Sequence, residues 1–405
     1  MKDVVIVGGG AAGFFSAIRI KEECPDLSVV ILEKSADVLQ KVKISGGGRC
    51  NVTHACFIPK DLAKNYPRGN RELLGPFHKF MTGDIMEWFE ERGVPLKIEK
   101  DNRVFPQSNS SQSIIDCFMS LCEKYNIQVL KSTAVKNFRQ SEGDLWDIET
   151  SKGDYQTKHL VLCPGSSKPM WRLLGSMGHK IIDPVPSLFT FNIKDEILED
   201  IPGISVPNAR VKINSSKFQT SGPLLITHWG LSGPAVLKLS AIAAIYLKGL
   251  NYQFAISVNW LGKDRDEVEE MMQEAQIKHK GSTVVNKSVD PIISKRLWDK
   301  ILTKSRVSKN KNWGDLSKKD WNQILDVLVN TQLQVDKKST FKEEFVTAGG
   351  VSLKDLDFRS FESKHYKNLY LAGEFIDVDA VTGGFNFQNA WTGGYMIGRT
   401  ISQKG

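Results

Sequence analysis

The chain has no C-x-x-C pair, and its six cysteines (Cys24, Cys50, Cys56, Cys117, Cys122, Cys163) follow no metal-ligand spacing. That excludes a disulfide framework and a cysteine-built metal site, and the scattered thiols lead us to expect a cytoplasmic protein. Long hydrophobic runs are absent too. The most charge-poor stretches, 219–237 and 380–398, are broken by Gly, Pro, Asn and Gln, so neither a membrane span nor a membrane partner is expected. There is no internal repeat and no low-complexity tract. Net charge is scarce outside one block. Between Gln276 and Asp320 twelve Lys/Arg face four Asp, which accounts for the whole excess of +8. Such a block can attract nucleic acid, although the solvated face of a helical module is the simpler reading.

What remains is ordinary globular material, 405 residues with 41% hydrophobic and 25% charged, enough for two or three domains. Its most informative stretch is the first. Val4 to Val7 is an apolar, β-branched run suited to a buried parallel strand. Gly8-Gly9-Gly10-Ala11-Ala12-Gly13 follows at once and matches G-x-G-x-x-G, then comes a helical segment and a second apolar run, 29–32. Glu33 closes the unit, twenty positions after Gly13. The glycines allow a tight turn and close backbone approach. A pyrophosphate is then held at the helix N-terminus and a ribose by the acid. Lys2 precedes an apolar segment, but a leader peptide has no need of Glu33 or a continuing βαβ pattern.

A second glycine cluster follows, KVKISGGGRCN over 41–51. Three consecutive glycines let backbone approach a ligand, and Arg49 is placed to offset phosphate charge. Helical patterns are expected over 73–92, with Met81, Ile85, Trp88 and Phe89 inward, and over 113–125, with Ile114, Phe118 and Leu121 inward. Residues 95–106 read as extended, and the runs 128–138, 145–150, 154–159 and 160–163 read as a β-meander. The last run meets Pro164-Gly165, a point where chain is expected to pass beside a bound dinucleotide. Short β-prone runs over 188–261 suggest a small barrel-like domain, with a helix beginning near Pro234. From 263 to 329 the pattern is helical, with Val268, Met271, Met272, Ile292, Ile293, Leu297, Ile301, Ile324, Leu325 and Leu328 as internal faces.

The C-terminal part returns to β/α character. FVTAGGV (345–351) reads as a strand, and NLYLAG (368–373) as a buried strand running into Glu374. Paired glycines then precede a helix carrying Asn386, Phe387 and Trp391. The first βαβ unit alone does not separate NAD from FAD. A second strand ending in Gly373-Glu374, followed by a helix N-terminus near Gly384, suits the ribityl chain and pyrimidine end of a flavin. No second G-x-G-x-x-G follows a strand, so NAD(P)H has no Rossmann domain of its own and is expected only as a transient co-substrate.

ISGGGRCNVT, THWGLSGPAVL, VTAGGV and LYLAGEFIDVDAVTGGFNFQNAW stand in this order over nearly the whole chain. Together they resemble bacterial flavoproteins of the BaiN/aminoacetone-oxidase-like family. The resemblance implies an α/β fold: a discontinuous Rossmann-like FAD-binding domain of the two-dinucleotide-binding type (1–187 and 337–405). This is interrupted by a β-barrel-like domain (188–261) and a small helical domain (262–336). It further implies that Ala12, Glu33, Lys34 and Lys41 hold the adenosine and pyrophosphate part, and that Gly47, Gly48 and Arg49 form a glycine-rich FAD loop with Cys50 beside it. Val135 would meet adenine through its backbone, and Glu374, Asn386 and Phe387 the ribityl and isoalloxazine parts. One departure stands out: the family's Gly-Arg/Lys-Lys is Leu39-Gln40-Lys41 here.

The expected activity is that of an FAD-dependent oxidoreductase passing hydride between flavin and a small organic substrate, with NAD(P)H an open candidate for electron donor. The alternatives are a nicotinamide-only dehydrogenase and a flavin-binding protein that uses the basic block on RNA or a partner. Catalytic side chains are not identified by pattern. His228 fits an acid/base role or a brace for its turn; Cys50 fits a redox thiol or a small buried residue.

Overall fold

The computed structural model describes residues 1–338 and 346–404, so Phe345 of the FVTAGGV strand lies outside the described residues. The chain divides into two compact units, 1–185 with 346–405, and 186–345.

The first unit is built on five parallel strands in the spatial order Leu369–Leu371, Tyr155–Leu162, Lys2–Val7, Val29–Leu32 and Gln128–Leu130. Val4, Val5 and Ile6 are wholly buried, as central strands of a parallel sheet are. The expected meander is smaller than the four runs suggested. Val135–Gln140 pairs antiparallel with Trp146–Thr150, which pairs antiparallel with Tyr155–Leu162, whereas Gln128–Leu130 joins the parallel sheet and the last two runs are one strand. The pattern over 73–92 splits into Leu74–Phe77 and Thr82–Glu90, leaving Met81 half-buried as an N-cap.

Two helices dominate one face. The N-terminal helix, Ala11–Glu23, lies against the C-terminal helix, Phe385–Ser402, at small-residue positions. A Cβ on Gly394 would stand 3.0 Å from Ser16 N, and one on Gly398 would stand 2.6 Å from Arg19 Cβ. Both numbers rise together along the two chains, so the helices run parallel. Both therefore begin at the same end of the sheet.

The second unit is an antiparallel sheet ordered Thr331–Val335, Phe254–Asn259, Ser205–Ile213, Gln219–Thr227, Gly230–Ser232, Phe191–Asn192 and Lys337–Lys338. Its first and last members are separated only by Asp336, whose N–H donates to Asn192 O at 3.0 Å, so the chain itself closes the sheet into a barrel. The helices Arg265–Lys278, Lys295–Lys304 and Lys318–Asn330 thus enter between two barrel strands. Residues 188–261 and 262–336, read from sequence as separate domains, share one hydrophobic core in which Phe191, Val211 and Phe254 join Val268, Trp298 and Ile324. Two expected internal residues lie further out: Ile292 is exposed and Met271 half-buried.

Candidate functional site

The first glycine turn sits where the strand order reverses, between the carboxyl ends of Lys2–Val7 and Tyr155–Leu162, which is where open α/β sheets take their ligands. Gly8 has φ +110°, and a Cβ there would lie 2.2 Å from Cys163 O. A Cβ on Gly13 would lie 2.1 Å from Gly8 O. At Gly10, by contrast, a Cβ would meet nothing within 4 Å. Gly10 caps the N-terminal helix without any side-chain hydrogen bond, and the first turn holds no acid. The N–H groups of Ala11, Ala12 and Gly13 begin the helix with no intrahelical acceptor. Glu33 is drawn to the same turn: one carboxylate oxygen accepts from Gly9 N and the other from Ser35 N, both at 2.8 Å. Its remaining lone pairs stay available for hydroxyl donors.

The second glycine cluster is not a free loop. A short helix, Gln40–Gly48, breaks at Ser45, and Gly46, Gly47 and Gly48 then take φ +59°, +71° and +83°. Open space surrounds the Cβ positions of Gly47 and Gly48. The helix begins after Leu39, which has φ +55° and is 1% exposed. A left-handed non-glycine costs about 1–2 kcal/mol, and burying a leucine side chain returns about 1.5–3 kcal/mol, so leucine is tolerated at a backbone conformation that favours glycine. Its N–H donates to Gly9 O at 2.8 Å and ties the two glycine clusters together.

Arg49 is committed to protein rather than free for phosphate. Nη1 donates to Glu99 Oε1 at 2.7 Å, and its guanidinium lies 3.9 Å from the centre of the Phe105 ring. Cys50 is wholly buried, which pushes its thiol up to about 12 and leaves no redox thiolate there.

From the other end of the chain, Gly373 comes to Ala12: a Cβ on Gly373 would stand 3.2 Å from Ala12 Cβ. Glu374 accepts from Thr347 N at 2.8 Å and forms an ion pair with Lys41. Asn386 accepts from Ala380 N at 3.0 Å and donates to Ala380 O at 3.3 Å, so its amide braces the approach to the C-terminal helix. Phe387 stacks on Trp391 at 5.6 Å, and the buried Trp391 indole donates to Val52 O at 2.9 Å. Trp391 is therefore a core residue. Gly384 caps this helix, again with no side-chain cap bond and no acid in the first turn.

Sequence reasoning missed the contacts that bind the glycine-rich loop to this helix. With its amide set by its neighbours, Asn51 accepts from Gly384 N and donates to Thr53 O, both at 3.0 Å. Thr53 Oγ1 donates to Gln388 Oε1 at 2.6 Å, and His54 Nδ1 lies 3.1 Å from Gly383 O. The only available signal was adjacency, since NVTH follows GGGRC directly. Asp377 was missed as well. Burial pushes its carboxyl up to about 6, with Arg68 opposing and Asp379 reinforcing the shift. Asp379 is wholly buried and ion-paired with Arg68.

Other expected residues lie further along the unit. Lys34 is exposed, Val135 opens the Val135–Gln140 strand, and Gly165 has φ +61° with open space at its Cβ. His228 belongs to the second unit, exposed in the turn between Gln219–Thr227 and Gly230–Ser232. Among the described residues no cluster of His, Cys, Asp or Glu is suited to a metal, and no helix is long and apolar enough to cross a membrane.

A dinucleotide fits this arrangement: open backbone at Gly10, Gly47 and Gly48 borders two uncapped, acid-free helix N-termini at one end of the sheet. The comparisons agree. The HI0933-like protein Rossmann domain model matches residues 2–400. A 3-dehydro-bile acid delta(4,6)-reductase of Clostridium scindens is 25% identical, covering 100% of both chains. A ribosomal RNA dihydrouridine synthase of Haemophilus influenzae is 25% identical over 99% of this chain and 98% of its own. Among solved structures, a 3-ketosteroid-delta4-(5alpha)-dehydrogenase of Rhodococcus jostii RHA1 shares the fold. It has a TM-score of 0.53 and 10% identity, covering 99% of this chain and 96% of that one. The chain belongs to the HI0933-like family and is an FAD-dependent oxidoreductase, which removes the nicotinamide-only reading.

Proposed function

We propose that this HI0933-like flavoprotein is a reductase that saturates a ring carbon–carbon double bond conjugated to a carbonyl, with NAD(P)H as electron donor. One hydride and one proton add across the double bond while NAD(P)H becomes NAD(P)⁺. Bound FAD supplies the two-electron chemistry that links donor and acceptor. The two relatives support the acceptor class, since a delta(4,6)-reductase and a dihydrouridine synthase, as named, both saturate a ring double bond.

The observation that carries the reading is the pairing of two parallel helices with bare N-termini. Taking Gly394 beside Ser16 and Gly398 beside Arg19, the C-terminal helix begins roughly 7 Å beyond the start of its partner at 1.5 Å rise per residue. The nearer N-terminus, with Gly8, Gly10, Ala11, Ala12 and Gly13, would take the pyrophosphate. The further one, at Gly384 to Phe387, would favour negative charge on the pyrimidine end. Glu33 would accept from the adenosine ribose, with Lys34 nearby, and Val135 would meet adenine. Lys41, Gly47, Gly48 and Arg49 would line the dinucleotide, Arg49 through its backbone since its guanidinium is engaged. Gly165, Gly373 and Glu374 would follow the ribityl chain, with the Lys41–Glu374 ion pair positioning both.

Anaerobic addition of NADPH, then NADH, to the holoenzyme tests the direction of transfer. Bleaching of the flavin absorption by either donor is expected, with recovery on adding a cyclic enone or uridine. A spectrum that stays oxidised with both donors would contradict the proposal.

A further inference from the structure

We propose that the helical part of the second unit is a docking surface for RNA, gripping phosphates through lysines gathered around two stacked tryptophans. This rests on the ring-reduction reading, to which it adds a ribonucleotide chain as carrier of the ring.

The indoles of Trp298 and Trp313 are buried and stacked, 6.2 Å apart and within 9° of parallel. Their N–H groups fasten a neighbouring stretch: Trp298 donates to Val284 O at 2.7 Å and Trp313 to Lys287 O at 3.1 Å. Backbone bonds from Trp313 N to Ser282 O (3.0 Å) and from Gly314 N to Lys280 O (3.1 Å) complete the junction. Three separate stretches, 280–287, 295–298 and 313–319, therefore meet here. They bring Lys280, Lys287, Lys295, Lys318 and Lys319 with them, all exposed.

Among the described residues no ion pair engages these five. Two of the block's four aspartates are paired with other lysines, and the other two are held by neutral donors. Asp299 pairs with Lys309 and Asp320 with Lys311, each at 2.7 Å. Asp290 accepts from Ile292 N at 2.8 Å, and Asp315 from Asn312 Nδ2 at 3.2 Å. Helix stability does not explain the lysines either. Lys295 opens Lys295–Lys304, and Lys318 and Lys319 open Lys318–Asn330. A cation at a helix N-terminus works against the helix dipole, by about 0.3–1 kcal/mol.

The chemistry selects the partner. The exposed large apolar side chains of this stretch are Ile277 and Ile292, with no aromatic among them. That is too little to enter a membrane interface. The nearest ring outside the core, Trp321, is half-buried against it, so among the described residues of this stretch no aromatic stands fully exposed for bases to stack on. What is left is a lysine field in water, suited to the phosphate backbone and indifferent to sequence.

The test uses the holoenzyme and an in vitro ribosomal RNA transcript, with affinity measured from about 50 to about 200 mM salt. Five phosphate contacts should cost roughly 10²-fold in affinity across that range. Replacing all five lysines by glutamine should weaken binding at least about tenfold and flatten the salt slope, and five arginines should preserve both. A bound-flavin absorption spectrum retained in each variant reports that the protein is folded. Unchanged RNA affinity in the glutamine variant would overturn the proposal, as would binding to phosphatidylcholine/phosphatidylserine vesicles in preference to RNA. If RNA binding fails while a cyclic enone still reoxidises the flavin, the docking surface falls and the ring-reduction reading stands. If RNA binds and neither nicotinamide bleaches the flavin, the reverse holds.

Discussion

The two glycine clusters of the first unit resemble each other in sequence and differ in what makes them glycine. In the first, Gly8 and Gly13 are fixed by backbone: added side chains would fall 2.2 Å from Cys163 O and 2.1 Å from Gly8 O. In the second, Gly47 and Gly48 have open space around them and are fixed only by their left-handed φ. On the proposed reading the first cluster is architecture that also faces a ligand. In the second, Gly46 is packed (its Cβ would lie 2.8 Å from the Phe105 ring), while Gly47 and Gly48 would form a ligand-facing surface with little architectural demand. A run of glycines therefore does not say which kind it is; the neighbours do.

Substitutions can break this contrast. Gly8→Ala carries the largest expected effect, because strands 2–7 and 155–162 would have to part: about 3 kcal/mol or more of stability, read as a lower urea midpoint and loss of flavin on purification. Glu33→Ala should act next, mainly on the ligand. It removes a charged acceptor worth about 1.5–3 kcal/mol, so FAD affinity should fall roughly 10–100-fold in equilibrium titration with the fold retained. An unchanged affinity would remove Glu33 from the ribose. Gly47→Ala should cost only about 1 kcal/mol in unfolding while weakening FAD retention. A large loss of stability there would erase the distinction between the clusters.

Asp377 provides a comparison outside both clusters. Its carboxyl titrates near 6 in the folded chain against 3.8 ordinarily, so the native state keeps a proton that the unfolded chain releases. Wild-type stability relative to Asp377→Asn should therefore fall as pH rises from about 4 to about 6, by about 1 kcal/mol once solvent screening is allowed for. A difference in unfolding free energy that stays flat across that window would refute the assignment.

The legible parts of the fold were those with local signals. Strand, glycines, helix, strand and Glu33 lie within the first 33 residues, and their spacing alone places a dinucleotide turn. The C-terminal Gly-Gly before an apolar helix was similarly clear. Contacts such as Thr53 with Gln388, or Lys41 with Glu374, join residues more than 300 apart and leave no periodicity to read. Leu39 hid its left-handed backbone behind an ordinary side chain. In the second unit the closing strand Thr331–Val335 alternates buried and exposed, a signal that was present. It was masked by its position directly after a helix, which is why a helical insertion inside a barrel read as a separate domain.

The central claim is that both glycine clusters and both helix N-termini hold one FAD. A crystal structure of the FAD-loaded protein tests it most directly. The account expects the pyrophosphate against Gly10 to Ala12 and the pyrimidine end against Gly384 to Asn386. A flavin whose pyrimidine end lies away from the C-terminal helix would contradict it.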